Sequence, residues 1–160
     1  VTLDNDECRF KPHIVLIRTS QTLKVLNSDP IGHNTKIDYD PSPINPVLAP
    51  GATVEKQFPE EQRLPVTASC SIHPWMRARL VIRESPYMAL TDENGDFVIE
   101  NLPAGKWTFQ FWHEERGYIR NVNVGGKATE WSRGRQEFTI AGDDKTTELG
   151  EVKLKMADYQ

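Results

Sequence analysis

Between Asp29 and Pro65 the chain carries seven prolines, at positions 30, 41, 43, 46, 50, 59 and 65. Each one fixes φ and removes a backbone donor. Such a stretch can be loop and edge structure with at most short strands, of which "TVEKQF" (53–58) is one. The segments outside it read as strands. "HIVLIR" (13–18) and "TLKVLN" (22–27) are β-rich runs around a short polar break. "VTAS" (66–69) leads into a loop at Cys70, and "RARLVI" (77–82) leaves it. In "KWTFQFW", Trp107, Phe109 and Phe111 alternate with Thr108 and Gln110, the period of a half-buried strand. No 3.6-residue apolar period is long enough for a helix, so the expectation is an all-β chain.

The second half continues in the same manner. "YMALT" (87–91) and "DFVIE" (96–100) are expected strands joined by "DENG", a hairpin signal because Asn and Gly tolerate φ > 0. "NLPAG" is the next turn, and "IRNVNVG", "RQEFTI" and "TELGEVKLK" supply further strands. The 160 residues suit one good core, or two small β units sharing one. No run of about 18 apolar residues exists to span a membrane. The net charge of −4, without a Lys/Arg run, disfavours nucleic-acid binding. The chain begins at Val1, which reads as a mature or trimmed chain whose export signal is gone. The expected location is therefore periplasmic or extracellular. In an exported protein two cysteines, Cys8 and Cys70, first suggest a disulfide.

The surroundings of Cys70 argue for different chemistry. In "CSIHPWM" a thiol, an imidazole and a thioether stand three residues apart, as Cys70, His73 and Met76. These are soft or borderline ligands, which suit copper better than the oxygen-seeking magnesium or calcium. Zinc takes thiolates and histidines but rarely a thioether. One Cys, two His and a weak axial Met form the ligand set of blue copper. The missing imidazole is expected from "NSDPIGHNTKI", where His33 follows a β run and precedes Asn34.

"HN" upstream and C-x-x-H-x-x-M downstream resemble the cupredoxin family, and the short His-Pro-aromatic-Met loop resembles its amicyanin-type members. The 37-residue interval from His33 to Cys70 suits that subgroup. The resemblance covers roughly residues 8–83. It implies a Greek-key β-sandwich in which His33, Cys70, His73 and Met76 hold copper. It also implies that Asn34 hydrogen-bonds the cysteine sulfur and tethers the two loops. His73 would be the electron portal near the surface, with Pro74 and Trp75 in an apolar docking patch for a transient redox partner. Trp75 could equally be packed against the loop.

Cys8 departs from the pattern. By the resemblance it falls near the copper end, and three readings stand open: a free thiol, a disulfide with Cys70, or a part of the metal site that perturbs it or makes it binuclear. His13 and His113 are expected at a strand edge and a strand end rather than as ligands. Asp92, Glu93 and Asp96 miss the EF-hand spacing and fit a tight turn.

Residues 89–114 are similar to the carboxypeptidase regulatory-like, transthyretin-like β module, through Thr91, Asp92, Gly95, Phe97, Ile99, Leu102, Pro103 and Gly105. The combination also resembles bacterial methylamine-utilisation-like proteins. The expected organisation is a cupredoxin domain at 1–83 and a β module at 84–160 packed against it. The implied function is single-electron transfer rather than catalysis, with copper sequestration or delivery as the alternative. A copper oxidase, reductase or NO-reactive site would need an open coordination position, against which axial Met76 argues. A purely structural protein with a vestigial site is the remaining rival.

Overall fold

The computed structural model describes residues 1–142 and 145–154, which contain strands and no helix. Two compact units make up the chain, Val1–Glu100 and Asn101–Gln160.

The first unit has ten strands: β1 (Thr2–Asp6), β2 (Arg9–Lys11), β3 (Ile14–Arg18), β4 (Thr22–Asn27), β5 (His33–Asn34), β6 (Lys36–Ile37), β7 (Val47–Leu48), β8 (Thr53–Gln57), β9 (Val66–Ser69) and β10 (Arg77–Arg83). One sheet has the order β2-β1-β4-β8 and the other β3-β10-β9-β6. β1 runs parallel to β4 and β3 parallel to β10, while the other pairs in these sheets are antiparallel. Alternation decides the inner faces. In β4, Leu23, Val25 and Asn27 are buried, and in β10, Ala78, Leu80 and Ile82 are. Leu3, Leu23 and Val25 of one sheet join Val15, Ile17, Leu80 and Ile82 of the other in one core. Each such side chain contributes about 1.5–3 kcal/mol by leaving water. The result is an all-β sandwich.

Two strand ends of this sandwich present the loops that matter. β4 ends at buried Asn27, whose Nδ2 donates to the carbonyls of Ile31 (2.8 Å) and Leu48 (3.0 Å). That side chain shapes the loop leading into β5, which pairs with β7 through His33↔Leu48 and Asn34↔Val47. The antiparallel register Arg77↔Ser69 between β10 and β9 closes the loop over residues 70–76.

The second unit comprises β11 (Gly105–Gln110), β12 (Trp112–His113), β13 (Gly117–Tyr118), β14 (Asn121–Val124), β15 (Lys127–Glu130), β16 (Arg135–Ile140) and β17 (Val152–Lys153). β11 pairs with β16, β12 with β13, and β14 lies between β15 and β17. Ile119, Val122 and Trp131 are its buried centre, with Phe111 and Val124 against them.

The expected strands at 87–91 and 96–100 are not formed, although the turn between them is. The Asp92 amide donates to the Asp96 carbonyl (2.8 Å) and the Gly95 amide to the Asp92 carbonyl (3.1 Å). Leu90 and Val98 lie exposed, so these arms bury too little to hold a ladder. The single run expected at 106–114 breaks at Phe111, whose amide donates to Gly134 and whose carbonyl accepts from Ile119. "TELGEVKLK" shrinks to Val152–Lys153, with Lys155 outside the described residues.

Candidate metal centre

The loop of residues 70–76 is closed by its own backbone. The Cys70 amide donates to the Met76 carbonyl (3.2 Å), and the Met76 amide to the His73 carbonyl (2.9 Å). Closure turns Cys70 and Met76 inward, where both are buried in the sandwich core. His73 stays half-buried. His33 arrives from β5 and is fully buried. One ligand atom each from His33, Cys70 and His73 lie within 4.8 Å of one another. The Nδ1 atoms of the two imidazoles face each other at 3.0 Å, and Cys70 Sγ is 3.8 Å from His73 Nδ1. The His73 amide donates to that sulfur (3.4 Å).

Asp29, a residue the sequence did not single out, explains the orientation of His33. Its Oδ2 bonds His33 Nε2 at 2.8 Å. Burial pushes the Asp29 carboxyl up, but the Cys8 and Glu7 amides and His33 outweigh it and hold the group below the usual carboxylate range. The carboxylate can only accept, so Nε2 carries the proton. His33 Nδ1 then faces the site, with one proton between it and His73 Nδ1. Two nitrogens that share a proton in this way are placed to share a cation instead. An acidic residue four positions before a loop histidine was the only sequence signal for this role, and it is a common one.

Asn34 tethers the two loops. Its Oδ1 accepts from the Ser71 amide (2.8 Å), the Ile72 amide (3.3 Å) and Cys70 Sγ (3.3 Å). Its Nδ2 donates to Asn45 Oδ1 (2.7 Å) and Ser71 Oγ (3.3 Å). Among the described residues, the buried polar ones are Asn5, Asn27, Asp29, His33, Asn34 and Thr35. Five of these six lie between Asn27 and Thr35, and the sixth reaches them: Asn5 Nδ2 donates to Leu26 O and Thr35 Oγ1. Buried polar groups are costly unless bonded, so this wall fixes the His33 loop in one arrangement.

Cys8 sits beside the site as a half-buried free thiol, and Cys70 is also free, so no disulfide joins them. Cys8, Asp29 and His33 form a second group whose ligand atoms lie within 4.8 Å of one another. Trp75 is both packed and exposed. Its Nε1 donates to the Cys8 carbonyl (3.1 Å), its ring meets His73 edge-on at 5.2 Å, and 67% of it faces solvent. Pro74 is exposed next to it. His13 Nδ1 contacts the Arg77 carbonyl, and His113 Nδ1 accepts from the Glu115 amide; both are in exposed surroundings and in neither ligand group.

The donors suit a soft cation: one thiol sulfur and two imidazole nitrogens converge, with a buried thioether on the same loop. That set fits copper.

No family model matches the chain, and no curated protein does. Solved structures similar to it include the copper-containing nitrite reductase (NirK) from Thermus scotoductus SA-01, at 24% identity and TM-score 0.48, over 53% of this chain and 22% of that one. The chain thus spans about a fifth of that enzyme's length. A Cu(I) mutant form of amicyanin matches at 15% identity and TM-score 0.47, over 52% of this chain and 81% of amicyanin. A reduced form of another amicyanin mutant matches at 16% identity with the same score and coverage.

Proposed function

We propose that the chain is a cupredoxin that carries single electrons through one copper held by His33, Cys70, His73 and Met76. The observation that carries this reading is the convergence of His33 Nδ1, His73 Nδ1 and Cys70 Sγ. Bound copper would supply a one-electron Cu(I)/Cu(II) couple. The chain's own part is to keep the donors in place. Asp29 fixes the His33 ring, Asn34 ties that loop to the Cys70 loop, and the backbone closes residues 70–76 on themselves. Donors held this way move little between oxidation states, which favours electron transfer over substrate binding.

An apolar rim supports docking of a redox partner beside His73. Ile72 (54% exposed) and the exposed Pro74 flank His73 in sequence, and the ring of Trp75 (67%) packs edge-on against it. An apolar contact surface suits brief, weak encounters. In this reading residues 1–83 form the copper part; β10 ends at Arg83, and the first compact unit runs on to Glu100. Residues 84–160 form an added carboxypeptidase regulatory-like module with a structural or contact role. The reading places the protein outside the cytoplasm, and no helix of the described residues is long and apolar enough to cross a membrane.

The test is the visible spectrum of the copper-loaded protein. One copper and an intense thiolate-to-copper band are expected, and Cys70→Ser should lose the band entirely. A mutant that stays blue would overturn the ligand assignment. Added azide should leave the wild-type spectrum unchanged; a rapid shift would mean an open position and an enzymatic site.

A further inference from the structure

The His33 imidazole has ligand groups on both edges. Nδ1 faces His73 and Cys70, while Nε2 faces Asp29, with Cys8 Sγ alongside. We propose that Cys8, Asp29 and His33 Nε2 form a second metal position, suited to a zinc-like divalent cation and competing with the copper position.

The donor set favours such an ion. One thiolate, one imidazole and one carboxylate are all zinc ligands, and a half-buried Cys8 leaves a fourth place for water. Zinc–ligand bonds of about 2.0–2.3 Å require donors about 3.3–3.8 Å apart. The three donors already lie within 4.8 Å, and Asp29 Oδ2 and His33 Nε2 are at 2.8 Å, so sub-ångström to one-ångström shifts suffice. Asp29 has capacity left. Oδ2 accepts from His33 and the Cys8 amide, but Oδ1 accepts from the Glu7 amide alone among the described residues and keeps a lone pair. Charge balances as well: a thiolate and a carboxylate neutralise a divalent ion, which a largely buried position needs.

The turn that carries Cys8 is built for this placement. Glu7 and Cys8 both adopt left-handed backbone, at φ 54° and 53°. That conformation is unfavourable for residues with a side chain. It points both amides at Asp29 and the Cys8 carbonyl at Trp75 Nε1. Cation entry would work as follows. The Cys8 thiol releases its proton to solvent. The Nε2 proton of His33 is given up to solvent while His73 Nε2 takes one up, and the proton between the two Nδ1 atoms moves onto His33. The imidazole pair therefore keeps its two protons, and one proton leaves in all. With copper on Nδ1, a cation on Nε2 would need the ring as an imidazolate, which disfavours joint occupancy, so the two positions compete.

The test uses the full chain, metal-free, with Zn(II) and Co(II) as probes. Zinc should protect Cys8 from alkylation in the wild type, located by peptide mapping. In Cys70→Ser, Co(II) should give a thiolate charge-transfer band at one equivalent, and the Cys8→Ser Cys70→Ser double variant should lose it. Prior loading with Cu(I) should reduce the zinc protection. If zinc leaves Cys8 alkylation unchanged in wild-type protein that still turns blue with copper, the second position does not exist and the copper reading stands. A Cys70→Ser protein that takes up one equivalent of Co(II) without a thiolate band would also overturn it. The alkylation assay decides even if the Cys70 variant fails to fold.

Discussion

Asn34 shows how much one side chain can hold. Its carboxamide oxygen takes the amides of Ser71 and Ile72, so the loop bearing Cys70 and His73 hangs on the residue next to His33. Replacing it with alanine leaves those donors without their partner, at a cost of about 1–3 kcal/mol. Asn34→Ala should lower the stability of the metal-free protein by that amount in denaturant titration, and copper should dissociate faster. A loss under about 0.5 kcal/mol would be that of an ordinary surface substitution and would mean the tether is not structural. At this scale the sequence was informative where chemistry is carried by residue type. Cys70, His73 and Met76 stand out because their spacing is local, and His33 because of its place in a Pro/Gly loop. Asp29 did not stand out. Its role depends on two amides from a turn over twenty residues away in sequence, and nothing local encodes that.

Elements succeeded or failed according to burial. β4 and β9 match their expected ranges because alternating side chains on each fill one face of the core. The arms of the Asp92 turn had similar composition but found no face to cover. The turn itself persists through side-chain chemistry. The Asp96 amide donates to the Asp92 carboxylate, which outweighs the opposing effect of burial; with further donors from Asn94 and Gly95 this lowers its pKa. A lowered folded-state value means the contribution is complete above the ordinary Asp range and is lost as pH falls through the lower value. The amide shifts of Asn94 and Asp96 should therefore titrate together below about pH 3.9. A midpoint at or above that value would remove the turn's electrostatic support. In the second unit Gly134 has φ 71°, and a Cβ there would lie 2.5 Å from the Phe111 carbonyl oxygen. Gly134→Ala should destabilise by roughly 2–4 kcal/mol, since left-handed backbone and a backbone clash add. Chemical denaturation followed by tryptophan fluorescence would measure it, and a change below about 1 kcal/mol would mean the chain relaxes around the methyl.

On the scale of the whole molecule, the site and the sandwich are one object, because Cys70 and Met76 belong to the core and to the ligand loop at once. Copper binding should therefore protect the sheet amides of the first unit. At a thousandfold excess over Kd the gain is about 4 kcal/mol. Hydrogen exchange at Val25 and Leu80 reads it, and unchanged rates there would mean that the loop binds metal without coupling to the fold. The sequence by itself determined the all-β class and the metal-ligand alphabet of one loop, because strand alternation and ligand spacing are both local patterns. Only the tertiary structure decided that Asp29 orients His33, that Cys8 comes to the far edge of the same imidazole, and that Trp75 bridges it to His73. Those placements arise from pairing between distant strands, whose geometry is set by burial of the whole core and is not written in any short stretch of the chain.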